Sequence, residues 1–299
     1  MNGFYKFLEQ LIPATVNIHT LVQDDHPSAS TLGVERAGSG TIIDAAGHIL
    51  TVGYVVLGAE TITVTLQRGD RVPAHILHID FDSGLAVLQA DIAGSCTIPL
   101  GASSNLRPGQ MGLLLATTGQ TERRVTEGFI TAIEQFDAHW EYMLDRAILT
   151  TAENAGFGGG AFVTLDGTMV GVVSLNLNRL KDTTMVIPLE YFLHMKDELF
   201  THGKIRQHVP RAWVGMWPVP SSRGLSILGV TPRSPAALAD VRQGDIILSI
   251  GDHEVIDRPD FYRHLWQYHA GEEVILIVMR EGRSHTIPIQ SQNRTLFYQ

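Results

Sequence analysis

The chain has 299 residues, 44% of them hydrophobic and 18% charged, which is enough to bury a sizeable core and to build two or three domains. The formal net charge of -9 is uneven: residues 1–210 carry 13 basic and 22 acidic side chains, and residues 211–299 carry 9 of each. An acidic first part and a neutral second part argue against nucleic acid or an anionic membrane as partner, because both need a basic face. No apolar run approaches the roughly 18 residues of a membrane helix, and the single Cys96 excludes an internal disulfide.

Residues 1–10 hold one Lys and an early Glu9, with no apolar core or small-residue cleavage site, so they do not read as a signal peptide. As the sequence stands, a cytoplasmic location is expected. Phe4, Phe7, Leu8, Leu11 and Ile12 fall at helical spacing before Pro13, which stops the helix. Residues 14–135 read as β. Ala14–Thr20 alternates, residues 23–38 read as a polar loop, and Ile62–Leu66 alternates as a half-buried strand should. Leu85–Leu88 is a continuous apolar strand. Many short strands between Gly, Asp and Asn turns predict a mainly β fold, a barrel or a sandwich.

Residues 146–188 continue the pattern, with Asp166-Gly167 as a hairpin turn. Leu189, Phe192, Leu193, Met195 and Leu199 predict a helix over 189–203 that ends at Gly203. Residues 204–210 form a short polar linker ending in Pro210. A second compact unit of about 85 residues follows. Strands are expected at Trp213–Trp217, Leu225–Val230, Asp245–Ile250 and Val274–Met279, with a helix from about Pro259 to Tyr268 and a short one at 235–238 capped by Ser234. The 13 His residues show no metal-ligand spacing. Alternation predicts His75 and His78 on opposite faces, and His264 and His269 lack i, i+4 spacing. No metal and no cofactor are expected.

Several stretches together resemble the HtrA/DegP family, trypsin-like serine proteases with PDZ domains. They are Gly38-Ser39-Gly40-Thr41-Ile42-Ile43-Asp44, Gly58-Ala59, Ile62–Leu66, Leu85–Leu88, Pro99-Leu100-Gly101, Leu106-Arg107-Pro108-Gly109, Val125–Gly128, Val186-Ile187-Pro188 and Asn154–Phe162, in the family's order. The resemblance implies a trypsin-like double β-barrel over 1–203, the 204–210 linker and a PDZ domain over 211–295. It also implies a periplasmic location if a leader is missing, and a role for Phe4, Tyr5 and Phe7 in holding a trimer.

The family's triad positions fall on three unlike residues. Thr51-Val52-Gly53-Tyr54-Val55-Val56 places Tyr54 where the family has His. Asp80-Phe81-Asp82-Ser83-Gly84-Leu85 places Gly84 where it has Asp, and Asn154-Ala155-Gly156-Phe157-Gly158-Gly159-Gly160 places Gly158 where it has the nucleophilic Ser. A triad needs a hydroxyl nucleophile, a base with pKa near neutral and a carboxylate to orient it. A phenol with pKa about 10 is a poor base, and glycine offers neither nucleophile nor carboxylate. The glycine run is expected to be loose, with Phe157 available to fill the cleft. Asp82 is a displaced carboxylate candidate, and Ser83 and Thr151 are the nearest alternative nucleophiles.

Arg211-Ala212-Trp213-Val214-Gly215-Met216 resembles the opening of HtrA-type PDZ domains, whose backbone N–H groups receive a peptide's terminal carboxylate. The implied peptide-binding residues are Trp213, Val214, Gly215 and Met216, with the helix over 260–268 as the other groove wall. The expectation is therefore a pseudoprotease that binds a protein or peptide C-terminus as scaffold, adaptor or complex subunit, as a homotrimer or in a hetero-complex. A chaperone-like holdase, or a regulatory subunit of an active paralogue, is the alternative reading. A residual hydrolase is the second.

Overall fold

The computed structural model describes residues 8–9, 11–92, 94–177, 183–205 and 209–299. Phe4, Tyr5 and Phe7 lie outside the described residues, as do most of the expected N-terminal helix and residues 206–208 of the linker. The chain divides into two compact units, Met1–Gln135 with Asp145–Arg206, and Phe136–Leu144 with Gln207–Gln299.

The first unit contains two closed barrels. The first is built from β1 (Thr15–Val22), α1 (Ala29–Leu32), β2 (Glu35–Ile42), β3 (His48–Val52), α2 (Gly53–Val56), β4 (Ala59–Thr65), β5 (Arg71–Ile79) and β6 (Leu85–Ala90). Its strands close in the order β1-β2-β3-β6-β5-β4. The second uses β7 (Met111–Thr117), β8 (Arg123–Ala138), β9 (Tyr142–Thr150), β10 (Ala161–Val163), β11 (Met169–Asn176) and β12 (Thr184–Pro188), closed in the order β10-β11-β12-β9-β8-β7. The continuous apolar run Leu85–Leu88 is wholly buried, as a strand packed on both faces should be. Helix α3 (Glu190–His202) ends where the sequence places its stop. Gly203 has φ 67 and its N–H donates to Leu199 O at 2.7 Å.

Two details of this unit differ from the sequence reading. The stretch read as a loop over 23–38 contains α1 and the start of β2. Its charged residue Arg36 concealed the strand, yet that guanidinium is buried. Its Nε donates to Gly33 O (2.9 Å), Nη1 to Tyr54 O (3.1 Å) and Leu57 O (2.8 Å), and Nη2 to Ser28 Oγ (2.7 Å). Arg36 thereby fixes the last turn of α2 and the backbone that carries Tyr54. In β5 the register shifts between Ile76 and His78, with His75 opposite Gln89 and His78 opposite Val87. This bulge turns His75 and His78 to one face, against simple alternation. Among the described residues, no group of three or more His, Cys, Asp and Glu is placed to hold a metal ion.

The second unit is a sheet ordered β13-β14-β15-β17-β18, from β13 (Met216–Ser221), β14 (Gly224–Val230), β15 (Ile246–Ile250), β17 (Glu273–Arg280) and β18 (Arg283–Gln290), with β16 (His253–Glu254) paired to β15. Helices α4 (Pro235–Leu238), α5 (Arg258–Leu265) and α6 (Arg294–Phe297) complete it. Leu225, Ile247, Phe261, Leu265, Val274 and Leu276 pack in its core, together with Met143 from the β8–β9 hairpin. Ser234 caps α4 by accepting from Ala237 N–H, and Asp257 caps α5 by accepting from Asp260 N–H at 2.8 Å. The first strand starts at Met216 rather than Trp213, because Gly215 at φ 78 breaks the extended backbone. Strand β18 had no signal: of its residues only Ile287 and Ile289 are buried, around Pro288.

Candidate functional site

Two sites were expected, one in each unit. In the first, the structure brings Tyr54, Gly84 and Gly158 together. Tyr54 lies on the single turn of α2, directly after β3. The N–H of Gly53 donates to Gly84 O at 2.7 Å, tying that turn to the one before β6. Gly84 itself has φ 79, in the left-handed region. The Tyr54 hydroxyl donates to Ser174 O at 3.0 Å, and burial pushes its pKa up to about 12. A Cβ at Gly158 would collide with Tyr54 Oη. The phenol therefore occupies the space into which a side chain at 158 would project.

The glycine run expected to be loose is pinned by hydrogen bonds. Gly156 N–H donates to Asn154 Oδ1 (3.2 Å), Phe157 N–H to Thr117 O (2.9 Å) and Gly159 N–H to Val173 O (2.7 Å). Gly158 O accepts from Ser39 N–H at 2.7 Å, and Phe157 O accepts from Ser39 Oγ at 2.8 Å. Phe157 is half-buried. An oxyanion hole needs N–H donors aimed at developing charge, and three donors of this loop are directed at protein acceptors instead. Ser83 is fully buried and donates its hydroxyl to Asp80 Oδ2 at 2.5 Å, while Asp82 N–H donates to Asp80 Oδ1 at 3.1 Å. Thr151 Oγ1 accepts from Phe129 N–H at 2.9 Å.

In the second unit, three of the four expected backbone donors converge on one acceptor. Gly215 N–H (2.5 Å) and Met216 N–H (3.0 Å) donate to Glu141 Oε1, and Val214 N–H (3.3 Å) donates to Oε2. The N–H of Trp213 donates instead to Gln292 O at 3.1 Å, and its indole is buried against Phe297 and Tyr298. Gly215 is obligatory here, since a Cβ would strike Ser234 as well as meet an unfavourable φ.

Glu141 is the residue that sequence reading missed. It sits in the turn between β8 and β9 at φ 54, the third residue of a three-residue hairpin loop where glycine is favoured. Its neighbours hold the loop from all sides. Glu141 N–H donates to Tyr262 Oη (3.1 Å), the Tyr262 hydroxyl donates to Ala138 O (2.6 Å), and Arg294 Nη1 donates to Glu141 O (3.0 Å). Arg258 pairs with Asp137 Oδ2 at 2.5 Å.

Burial raises the Glu141 carboxyl from 4.5 to about 7, against the opposing pull of Arg294 and the three N–H donors. Tyr262 and Tyr298 feel the Glu141 charge, Arg258 and Asp137 lie beside Tyr262, and burial also raises both phenols. A raised pKa stabilises the fold fully below the unfolded value and loses that contribution as pH rises through the folded one. Thermal unfolding of the second unit, compared with Glu141→Gln, should therefore lose roughly 3 kcal/mol between about pH 4.5 and pH 8. A difference between the two proteins that stays constant over this range would count against titration of Glu141.

Comparison with known proteins gives the relatives of this arrangement. The trypsin-like peptidase domain family matches residues 38–172 and the PDZ domain family matches residues 212–290. A probable periplasmic serine endoprotease DegP-like from Halomonas elongata is 29% identical over 284 residues, covering 88% of this chain and 58% of its own length. This chain thus spans little more than half of that relative. The serine endoprotease DegS of Salmonella typhimurium is 25% identical over 308 residues, covering 96% of this chain and 85% of its own. Among solved structures, HtrA-type protease AlgW with decapeptide is 24% identical at a TM-score of 0.59, over 97% of this chain and 98% of its own. The serine endoprotease from Yersinia pestis is likewise 24% identical at a TM-score of 0.59, over 97% of each chain. The chain thus joins a trypsin-like peptidase domain to a PDZ domain, and along most of its length it is similar to DegP-like, DegS and HtrA-type proteases.

Proposed function

We propose that this HtrA-like chain is catalytically silent and acts by binding protein, as a scaffold, an adaptor or a subunit of a complex. The observation that carries the reading is Tyr54. Its phenol fills the space above Gly158, is bonded to Ser174 O, and is held by burial at a pKa of about 12. Such a group does not serve as a general base near neutral pH, and the residue facing it has no nucleophile. The relatives are named as serine endoproteases, so the proposal assigns this chain a departure from their named activity.

On this reading, residues 1–203 form the pseudoprotease domain, 204–210 the linker and 211–295 the PDZ domain, with the β8–β9 turn packed into the PDZ unit. Peptide recognition is assigned to the loop of Val214, Gly215 and Met216; HtrA-type protease AlgW, a protein of this fold, has been solved with a decapeptide. The test is turnover: the pure chain against an unfolded protein substrate and a serine-directed probe. Cleavage by the pure chain, at a rate altered by Tyr54→Phe, would overturn catalytic silence.

A further inference from the structure

Within the second unit, residues 137–141 are held by several groups of its sheet and helices. The carboxylate of Glu141 takes the N–H groups of Val214, Gly215 and Met216. The carboxylate of Asp137 takes Arg258 of α5, whose Nη2 also donates to Asp137 O at 3.2 Å. The carbonyl of Ala138 takes the hydroxyl of Tyr262, one turn further along α5. Arg258 Nη1 in turn donates to Pro218 O on β13 at 3.4 Å, and the His139 ring meets Trp217 edge-on at 6.2 Å. The segment thus touches β13, α5 and the loop before β13. These three elements form the walls and the closed end of the expected peptide groove.

The free edge of this groove is also unusual. Strand β13 is the edge of its sheet. Pro218 stands opposite Ile227, whose N–H and C=O are both engaged on the far side, with Asp245 O and Gly244 N–H. Pro218 therefore turns its backbone to the free edge, and alternation puts Pro220 on the same side. A peptide that adds as a strand takes N–H donors from such positions, and proline has none. Beyond the carboxylate loop, main-chain pairing along β13 lacks two donors. Recognition falls on the loop, Arg258 and Tyr262, the groups that residues 137–141 already use. The left-handed backbone of Glu141, at a hairpin position suited to glycine, fits a residue kept for its carboxylate.

We propose that the PDZ groove carries its own ligand: the β8–β9 turn occupies it in cis, with Glu141 in place of a C-terminal carboxylate, and an external chain end enters only by displacing that turn. The occupant it admits is a peptide with a free terminal carboxylate and an acidic side chain placed to meet Arg258. The second half of this statement rests on the peptide-recognition reading above; the first half does not.

The experiment is hydrogen exchange across residues 213–217 in the full chain, with Glu141→Gly and Glu141→Gln beside the native protein. Glycine accepts the backbone angle of position 141, so Glu141→Gly removes the carboxylate without straining the turn. Exchange in the loop should quicken at least tenfold in Glu141→Gly and less in Glu141→Gln, with β17 and β18 unchanged. The probe is a synthetic hexapeptide copying residues 135–140 with a free C-terminus. It should restore protection to Glu141→Gly at concentrations at least tenfold below those the native chain needs, and its C-terminal amide should not. Equal exchange in the native chain and Glu141→Gly would overturn cis occupancy. Equal affinity of the probe for both proteins would do the same while leaving peptide recognition standing. Faster exchange that the probe does not reverse would uphold cis occupancy and overturn the external ligand.

Discussion

The pure chain, incubated with unfolded casein, should release no fragments above the buffer blank, and a fluorophosphonate should label neither Ser83 nor Thr151. Loss of a complete triad removes on the order of a millionfold in turnover, leaving only what the oxyanion hole and substrate binding supply. Here that remainder should be reduced further, since Gly156, two residues before the nucleophile position, directs its N–H at Asn154 Oδ1. The alternative hydroxyls are poorly placed for attack. Ser83 is buried and bonded to Asp80, and Thr151 Oγ1 accepts from a backbone N–H. Restoring the three family residues together, as Tyr54→His, Gly84→Asp and Gly158→Ser, should still fall well short of an active protease. Position 84 has φ 79, where an aspartate is strained, and the loop donors remain engaged. Cleavage that follows the chain through purification and disappears in Tyr54→Phe or Asp82→Asn would sink the reading.

The fold was legible where one physical signal dominated. The fully apolar run Leu85–Leu88, the Gly203 helix stop, the Asp166-Gly167 turn and the Ser234 cap all appear as the sequence implies. The candidate sites were legible only as positions. The resemblance put Tyr54, Gly84 and Gly158 at the family's triad positions, but it could not show that the phenol fills the space above Gly158, because that contact joins residues 104 positions apart. It also read the glycine run as loose, since propensity is local and the bonds to Ser39, Thr117 and Val173 are not. Arg36 reads as a surface residue until its four carbonyl and hydroxyl acceptors are seen. Glu141 is the clearest case. A single acidic residue in a turn carries no pattern, and its meaning comes from the convergence of three N–H groups more than 70 positions away.

The tight approach of Tyr54 to residue 158 predicts a measurable coupling. Gly158→Ala should lower the stability of the first unit by about 1–3 kcal/mol, the usual cost of inserting a methyl group into filled space. For a unit of this size that is a fall in Tm of roughly 3–10 °C. Tyr54→His alone should also destabilise, since it opens a void and leaves Ser174 O without the phenol's hydrogen bond. The double variant Tyr54→His with Gly158→Ala should be more stable than the sum of the two losses implies, because the shorter imidazole places no atom where Oη stands. A coupling of about 1–3 kcal/mol is expected from a double-mutant cycle on contacting residues. Simple additivity, measured by urea unfolding, would mean that the loop at 158 can move aside at little cost. The phenol would then no longer explain why a side chain is absent there. A positive coupling would instead show that glycine at 158 and tyrosine at 54 depend on each other, so that restoring a serine nucleophile requires changing both.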